Sequence, residues 1–163
     1  MFSDELLAAA ERLLAAARTR GVMIATAESC TGGLIAGLLT EIAGSSDVVD
    51  RGFVTYSNAA KQQMLGVPRE VLDRHGAVSE PVAAAMVRGA LAHSGAQLAV
   101  AVTGIAGPGG GSADKPVGLV YIAAMREGGA PMVERHLFGD IGRDQVRLKT
   151  IAATLNLAAS LLV

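Results

Sequence analysis

A chain of 163 residues, 51% hydrophobic but with only three Phe, two Tyr and no Trp, predicts a single domain over 1–163 with a core of Ala, Val, Leu and Ile. Its net charge of −1 and its lack of a basic run exclude an electrostatic footprint for nucleic acid. The lone Cys30 excludes an intrachain disulfide, and His75, His93 and His136 are too far apart for metal-ligand spacing, so no metal and no cofactor is expected.

Ser3-Asp4-Glu5 opens a helix, with a capping hydroxyl and acids on the positive end. Leu6, Leu7, Ala10, Leu13, Leu14 and Ala17 form its buried stripe, and Gly21 ends it. Ser3 to Arg20 has no basic segment leading into an apolar one, so no secretory signal is expected. No apolar run reaches membrane-spanning length, and a cytoplasmic protein is expected. Val22 to Ala27 reads as a first strand. A helix from Leu34 runs toward Gly44, and a loop covers Ser45 to Asp50. Arg51 to Ser57 reads as a second strand, and Asn58 caps a short helix that carries Lys61 and ends at Gly66. Pro68 to His75 and Glu80 to His93 are helices, the second capped by Ser79.

Leu98 to Thr103 is a continuous apolar run, hence a central strand covered on both faces. A Gly-rich loop, Gly104 to Pro116, follows. Val117 to Met125 and Met132 to Phe138 form a hairpin around Glu127-Gly128-Gly129-Ala130-Pro131. A last helix runs from Arg143 to about Leu162. Helices separate the first three strands and the last two pair antiparallel. The predicted fold is therefore α/β: a three-layer α/β/α sandwich around a mixed, mostly parallel sheet of about five strands.

Three constellations could carry chemistry. The first is Ser29, where the first strand turns into a helix. A helix start aims N–H groups at one point, so Thr31, Gly32 and Gly33 are candidates for an oxyanion hole. Ser29 or Thr31 could equally be a plain helix cap. Tyr56 and Lys61 follow the second strand and can reach the same sheet edge. A buried Lys can act as base to a Ser, with a Tyr hydroxyl assisting; the residues by themselves favour the plainer alternative, an exposed helix lysine and an interface tyrosine. The second constellation is Thr103-Gly104-Ile105-Ala106-Gly107-Pro108-Gly109-Gly110-Gly111-Ser112, whose glycines suit close approach to a ligand. It lacks the Lys of a nucleotide P-loop. The third is Arg143 and Arg147, four apart on one helix face, which could hold a phosphate or pair with Asp140 and Asp144. Cys30, in the strand–helix turn, reads as a small buried residue.

Four segments in order carry a resemblance that covers nearly the whole chain. They are Thr26-Ala27-Glu28-Ser29-Cys30-Thr31-Gly32-Gly33, Gly52-Phe53-Val54-Thr55-Tyr56-Ser57-Asn58-Ala59-Ala60-Lys61, His75-Gly76-Ala77-Val78-Ser79-Glu80-Pro81 and Gly104-Ile105-Ala106-Gly107-Pro108-Gly109-Gly110-Gly111. Together they resemble the C-terminal domain of the competence-damage-inducible CinA proteins. The resemblance implies a metal-free Ser-Lys amidase that hydrolyses nicotinamide mononucleotide to nicotinate mononucleotide and ammonia, in NAD salvage. It implies Ser29 as nucleophile, Lys61 as general base and Tyr56 as the assisting hydroxyl. Ribose and phosphate fall to the loop, through Thr103, Gly104, Gly107, Gly109 and Gly110, and to Arg143 or Arg147. The expected partner is this small pyridine nucleotide, with no nucleic acid and no membrane, and the expected assembly is a homo-oligomer, a dimer by preference. The family often has a compact Gly-Asp-Arg before its last helix, whereas here Ile141 and Gly142 separate Asp140 from Arg143. Larger members carry an N-terminal domain of nucleotide-pyrophosphatase character that these residues do not include, so that activity is not expected. The rival reading is a nucleotide-binding or regulatory module without catalysis, linked to competence or the DNA damage response.

Overall fold

Ser3 caps α1 (Asp4–Thr19): its hydroxyl accepts the Leu6 N–H, and Asp4 and Glu5 occupy the first turn. Such a cap contributes about 1 kcal/mol. Leu6, Ala10, Leu13, Leu14 and Ala17 are the buried stripe. The computed structural model describes residues 2–163. After α1 come β1 (Ile24–Glu28), α2 (Leu34–Glu41), a 3-10 turn (Ser45–Asp47), β2 (Val49–Val54), α3 (Asn58–Leu65), α4 (Arg69–His75) and α5 (Glu80–Ala92). The chain continues through β3 (Leu98–Gly104), β4 (Leu119–Arg126), β5 (Met132–Leu137) and α6 (Arg143–Ser160).

The sheet order is β2-β1-β3-β4-β5. β1 is parallel to both β2 and β3, β4 is antiparallel to β3, and β5 is antiparallel to β4. Every strand but β4 therefore points the same way, giving a mixed, mostly parallel sheet. Strand side chains alternate between faces. Ile24, Leu98, Val100, Val102, Val120 and Ile122 pack against α1, α2 and α6. On the opposite face the buried residues of the three central strands β1, β3 and β4 are alanines, Ala25, Ala27, Ala99, Ala101 and Ala123, and they pack against α3, α4 and α5. Small side chains there let α5 lie close to the sheet. Gly89 extends this economy one layer outward: a Cβ at that position would stand 2.0 Å from the Leu65 carbonyl oxygen. The last turn of α3 thus rests on the backbone of α5, which fixes the helix that carries Lys61.

Several boundaries differ from expectation for local reasons. β2 starts at Val49 and ends at Val54, because its pairing with β1 begins at Ile24–Val49 and stops at Glu28–Val54. Ser57, not Asn58, caps α3, its hydroxyl accepting the Ala60 N–H at 3.0 Å. β4 starts only at Leu119, because Gly118 has a positive φ of 89° and the Leu119 N–H turns back to the Pro116 carbonyl. Among the described residues no helix is long and apolar enough to cross a membrane. The parallel strands β1, β2 and β3 end together, so the residues after them, Ser29, Thr55 to Tyr56 and Gly104, share one edge, where α/β sheets collect ligands.

Candidate active site

The turn after β1 is built around Glu28, a carboxylate 1% exposed to solvent. It accepts the N–H groups of Gly33 at 3.1 Å, Ile35 at 3.0 Å and Ala36 at 2.9 Å, and the Thr26 hydroxyl at 3.3 Å. The last residue of the strand thereby caps the following helix, and α2 has no side-chain cap at its own N-cap residue, Gly33. This settles the alternative for Ser29 and Thr31: neither hydroxyl caps α2. Three helix-start N–H groups that lose their shared acceptor are costly to leave unpaired. Glu28→Ala is therefore expected to lower stability by about 2–4 kcal/mol, or roughly 5–15 °C in Tm. A melting curve within about 2 °C of wild type would contradict the capping role.

Capping α2 leaves the Ser29 side chain free to face α3. Lys61 Nζ lies 3.0 Å from Ser29 Oγ and 2.7 Å from the Thr55 carbonyl oxygen, to which it donates. Lys61 is 1% exposed, and the four ion pairs among the described residues leave it out. Burial of its charge pushes its pKa below the ordinary lysine value. With the amine neutral, the same contact has the Ser29 hydroxyl donating to the Nζ lone pair. Cys30 beside it is also buried, and desolvation pushes its thiol up to about 11. At neutral pH it is therefore a poor thiolate, as the sequence reading of a small buried Cys implies.

Ser29, Cys30, Tyr56, Ala77, Thr103 and Arg143, with Val78, Gly104 and Ala106, line one cavity of about 200 Å³. Tyr56 is 64% exposed and sits at the mouth, where its hydroxyl accepts from Arg143 Nη2 at 3.2 Å; it bonds neither Lys61 nor Ser29. Arg143 also donates to the Gly107 carbonyl at 2.9 Å. The Thr103 hydroxyl donates to the Ala77 carbonyl at 2.8 Å, which joins β3 to the segment before α5. A larger, more open groove of about 680 Å³ lies between α3, α4 and α5, lined mainly by residues such as Leu65, Val71, Pro81 and Ala85. It has no nucleophile–base pair. Among the described residues no group of three or more His, Cys, Asp or Glu is placed to hold a metal.

The two arginines do different things. Only Arg143 reaches the cavity. Arg147 Nε and Nη2 donate to the Cys30 and Thr31 carbonyls, both at 3.1 Å, so its guanidinium is spent on the turn rather than free for a phosphate. The expected oxyanion donors also need correction. The Gly32 N–H is bonded to the Ser29 carbonyl and the Gly33 N–H to Glu28, and one N–H has one strong acceptor. Only Cys30 and Thr31 in this turn keep N–H groups with no acceptor on another described residue, the Cys30 N–H meeting just its own thiol. Of the loop residues expected to bind substrate, Thr103 and Gly104 line the cavity, as does Ala106, whereas Gly107, Gly109 and Gly110 do not: Gly109 and Gly110 are exposed at the loop tip, and Gly107 is buried. Sequence reasoning missed Glu28, the Thr55 carbonyl and the role of Arg147. A lone acid closing an apolar strand just before a Gly-Gly helix start was the one available signal.

The CinA C-terminal domain family model matches residues 6–162. The chain is 50% identical over 156 residues to the nicotinamide-nucleotide amidohydrolase PncC of Escherichia coli K12, covering 95% of this chain and 93% of that one. It is 57% identical over 135 residues to a putative competence-damage inducible protein of Symbiobacterium thermophilum, covering 80% of this chain but 31% of that longer one. In three dimensions it is similar to the competence/damage inducible protein CihA of Agrobacterium tumefaciens, with a TM-score of 0.97, 54% identity, and 99% and 98% of the two chains covered. With the model match over nearly every residue and the strand-edge site just described, the chain belongs to the CinA C-terminal domain family.

Proposed function

We propose that this chain, acting as one catalytic domain, is an amidohydrolase that deamidates nicotinamide mononucleotide to nicotinate mononucleotide and ammonia. The observation that carries the reading is the 3.0 Å contact between the hydroxyl of Ser29, in the cavity wall, and a buried, charge-unpaired lysine. Its agreement with the activity in the name of the Escherichia coli relative supports the choice of amide.

The chemistry follows from the residues. Neutral Lys61 removes the Ser29 proton as Oγ attacks the carboxamide carbon. The tetrahedral oxyanion faces the free N–H groups of the turn. Lys61, now an ammonium, returns the proton to the departing nitrogen, and ammonia leaves. Water, deprotonated by Lys61, then attacks the Ser29 ester; the Lys61 ammonium returns that proton to Ser29 Oγ as the acyl bond breaks, and nicotinate mononucleotide leaves, its acid losing a proton to solvent. Tyr56 and Arg143 at the mouth take the far end of the substrate: the guanidinium is the one cationic group of the cavity wall, suited to the 5′-phosphate. The small cavity accommodates the pyridine end and leaves the phosphate at the rim. Nicotinate mononucleotide as the product fits the NAD-salvage role that the family resemblance implies. The low net charge supports a small-molecule partner over nucleic acid.

Incubating the purified protein with nicotinamide mononucleotide and measuring ammonia and nicotinate mononucleotide tests the reading. The two products should appear in equal amounts. Binding without turnover would favour a regulatory module instead. Arg143→Ala should raise KM about 10–100-fold with little change in kcat, the size of a lost charge-assisted bond. An unchanged KM would remove Arg143 from the phosphate site.

A further inference from the structure

The turn after Ser29 orients two consecutive peptides, and both are held from behind. A trans peptide points its N–H opposite to its C=O. The Ser29 carbonyl accepts the Gly32 N–H at 3.0 Å, so the Cys30 N–H faces the other way. The Cys30 carbonyl is held by Arg147 Nε at 3.1 Å, so the Thr31 N–H is turned away from the guanidinium. Nη2 holds the next carbonyl, Thr31, at the same distance. Neither N–H bonds another residue, the Cys30 N–H meeting just its own thiol; the two directly follow the serine, Cys30 lining the cavity with it and Thr31 fully buried next in the chain. The Gly32 Cβ position, 3.5 Å from Arg147 Nη2, shows how closely the arginine lies against the turn.

We propose that the Cys30 and Thr31 N–H groups form the oxyanion hole and that Arg147 is its positioning residue, aiming and polarising the Cys30–Thr31 peptide from the carbonyl side. From the reading above, this inference takes Ser29 as the nucleophile, whichever acyl substrate it attacks. A guanidinium fixed to a carbonyl draws electron density from that peptide and makes its N–H a stronger donor. The effect is worth most as negative charge develops on the oxygen, so it acts on kcat rather than on substrate binding. Arg147 bears on α6 and reaches the turn across the layer of the fold, so the last helix sets the geometry of a site formed after the first strand.

The test uses two substrates, nicotinamide mononucleotide and p-nitrophenyl acetate, an activated ester with no phosphate or ribose. Arg147→Ala is compared with Arg147→Lys, which keeps the charge but not the fork that spans two carbonyls. Arg147→Ala should lower kcat about 100-fold on the nucleotide with KM within about threefold. Arg147→Lys should recover part of that loss, and ester hydrolysis should fall in parallel with amide hydrolysis. If Arg147→Ala does not fold, the split between kcat and KM in Arg147→Lys carries the test. A variant whose KM rises while kcat holds would make Arg147 a phosphate ligand; it would overturn this inference and leave the proposed function standing. Ester hydrolysis by wild type that falls in the variants, with no turnover of the nucleotide, would uphold the inference and overturn the proposed function. Hydrolysis of neither substrate by wild type would overturn both.

Discussion

Ser29→Ala is expected to abolish ammonia release from nicotinamide mononucleotide while leaving the nucleotide bound. Ser29 alone combines three conditions: a lysine nitrogen at 3.0 Å, a position in the cavity wall, and neighbouring N–H groups that are free. Removing a covalent nucleophile costs at least about 10³-fold in kcat. The fold should tolerate the change, since the Ser29 hydroxyl bonds only Lys61 and the helix start is capped by Glu28. Titration calorimetry should therefore give a Kd within a few-fold of wild type. Cys30 is adjacent, so Cys30→Ala is the control. Its thiol is buried and pushed up to about 11, and the variant should retain most activity. An inactive Cys30→Ala beside an active Ser29→Ala would reverse the assignment.

Lys61→Arg is expected to fail almost as badly as Lys61→Ala, each losing at least about 10³-fold in kcat. A guanidinium stays protonated at every working pH and cannot take the serine proton. A buried ammonium can lose its proton, because desolvation disfavours the charged form and lowers its pKa. The sign of the pH dependence follows. The active base is the neutral amine, so kcat rises as pH climbs through the folded pKa and levels above it. That pKa lies below the ordinary lysine value, so the rise falls at lower pH than an exposed lysine would give. It belongs to the Ser29–Lys61 pair, and both Lys61 variants should lose the limb. A pH–rate profile in Lys61→Arg that keeps the limb and much of kcat would instead assign Lys61 to substrate binding.

The layered architecture is legible in the sequence because its signals are local. Ser3 before Asp4 and Glu5 marks the start of α1, the apolar run at Leu98 marks the central strand, and Gly66 closes α3, with a left-handed φ of 65°. That Ser29, Tyr56 and Gly104 gather at one sheet edge follows from the same pattern, although the second strand ends at Val54 rather than Ser57. The family resemblance, read from four ordered motifs, agrees with the model match over residues 6–162. Long-range contacts decide what local patterning does not reach. Nothing near Lys61 in the chain signals that α3 will be pressed on α5 at Gly89 and the amine buried. The helix start after Ser29 looks like one for a hydroxyl cap, yet a carboxylate from the preceding strand takes that place and uses the Gly33 amide. Arg143 and Arg147 share a helix face in sequence, but only the folded chain separates one that meets Tyr56 and Gly107 from one that meets a turn more than a hundred residues earlier.

The central claim, a Ser29 ester formed with the help of Lys61, is tested most directly by rapid acid quench during the first turnover of nicotinamide mononucleotide, followed by mass spectrometry of the peptide that contains Ser29 and Cys30. The account predicts a nicotinate mononucleotide acyl group on Ser29 that appears and decays with turnover, and that is absent in Ser29→Ala. An acyl group on Cys30, or ammonia release with no adduct at any quench time, would contradict it.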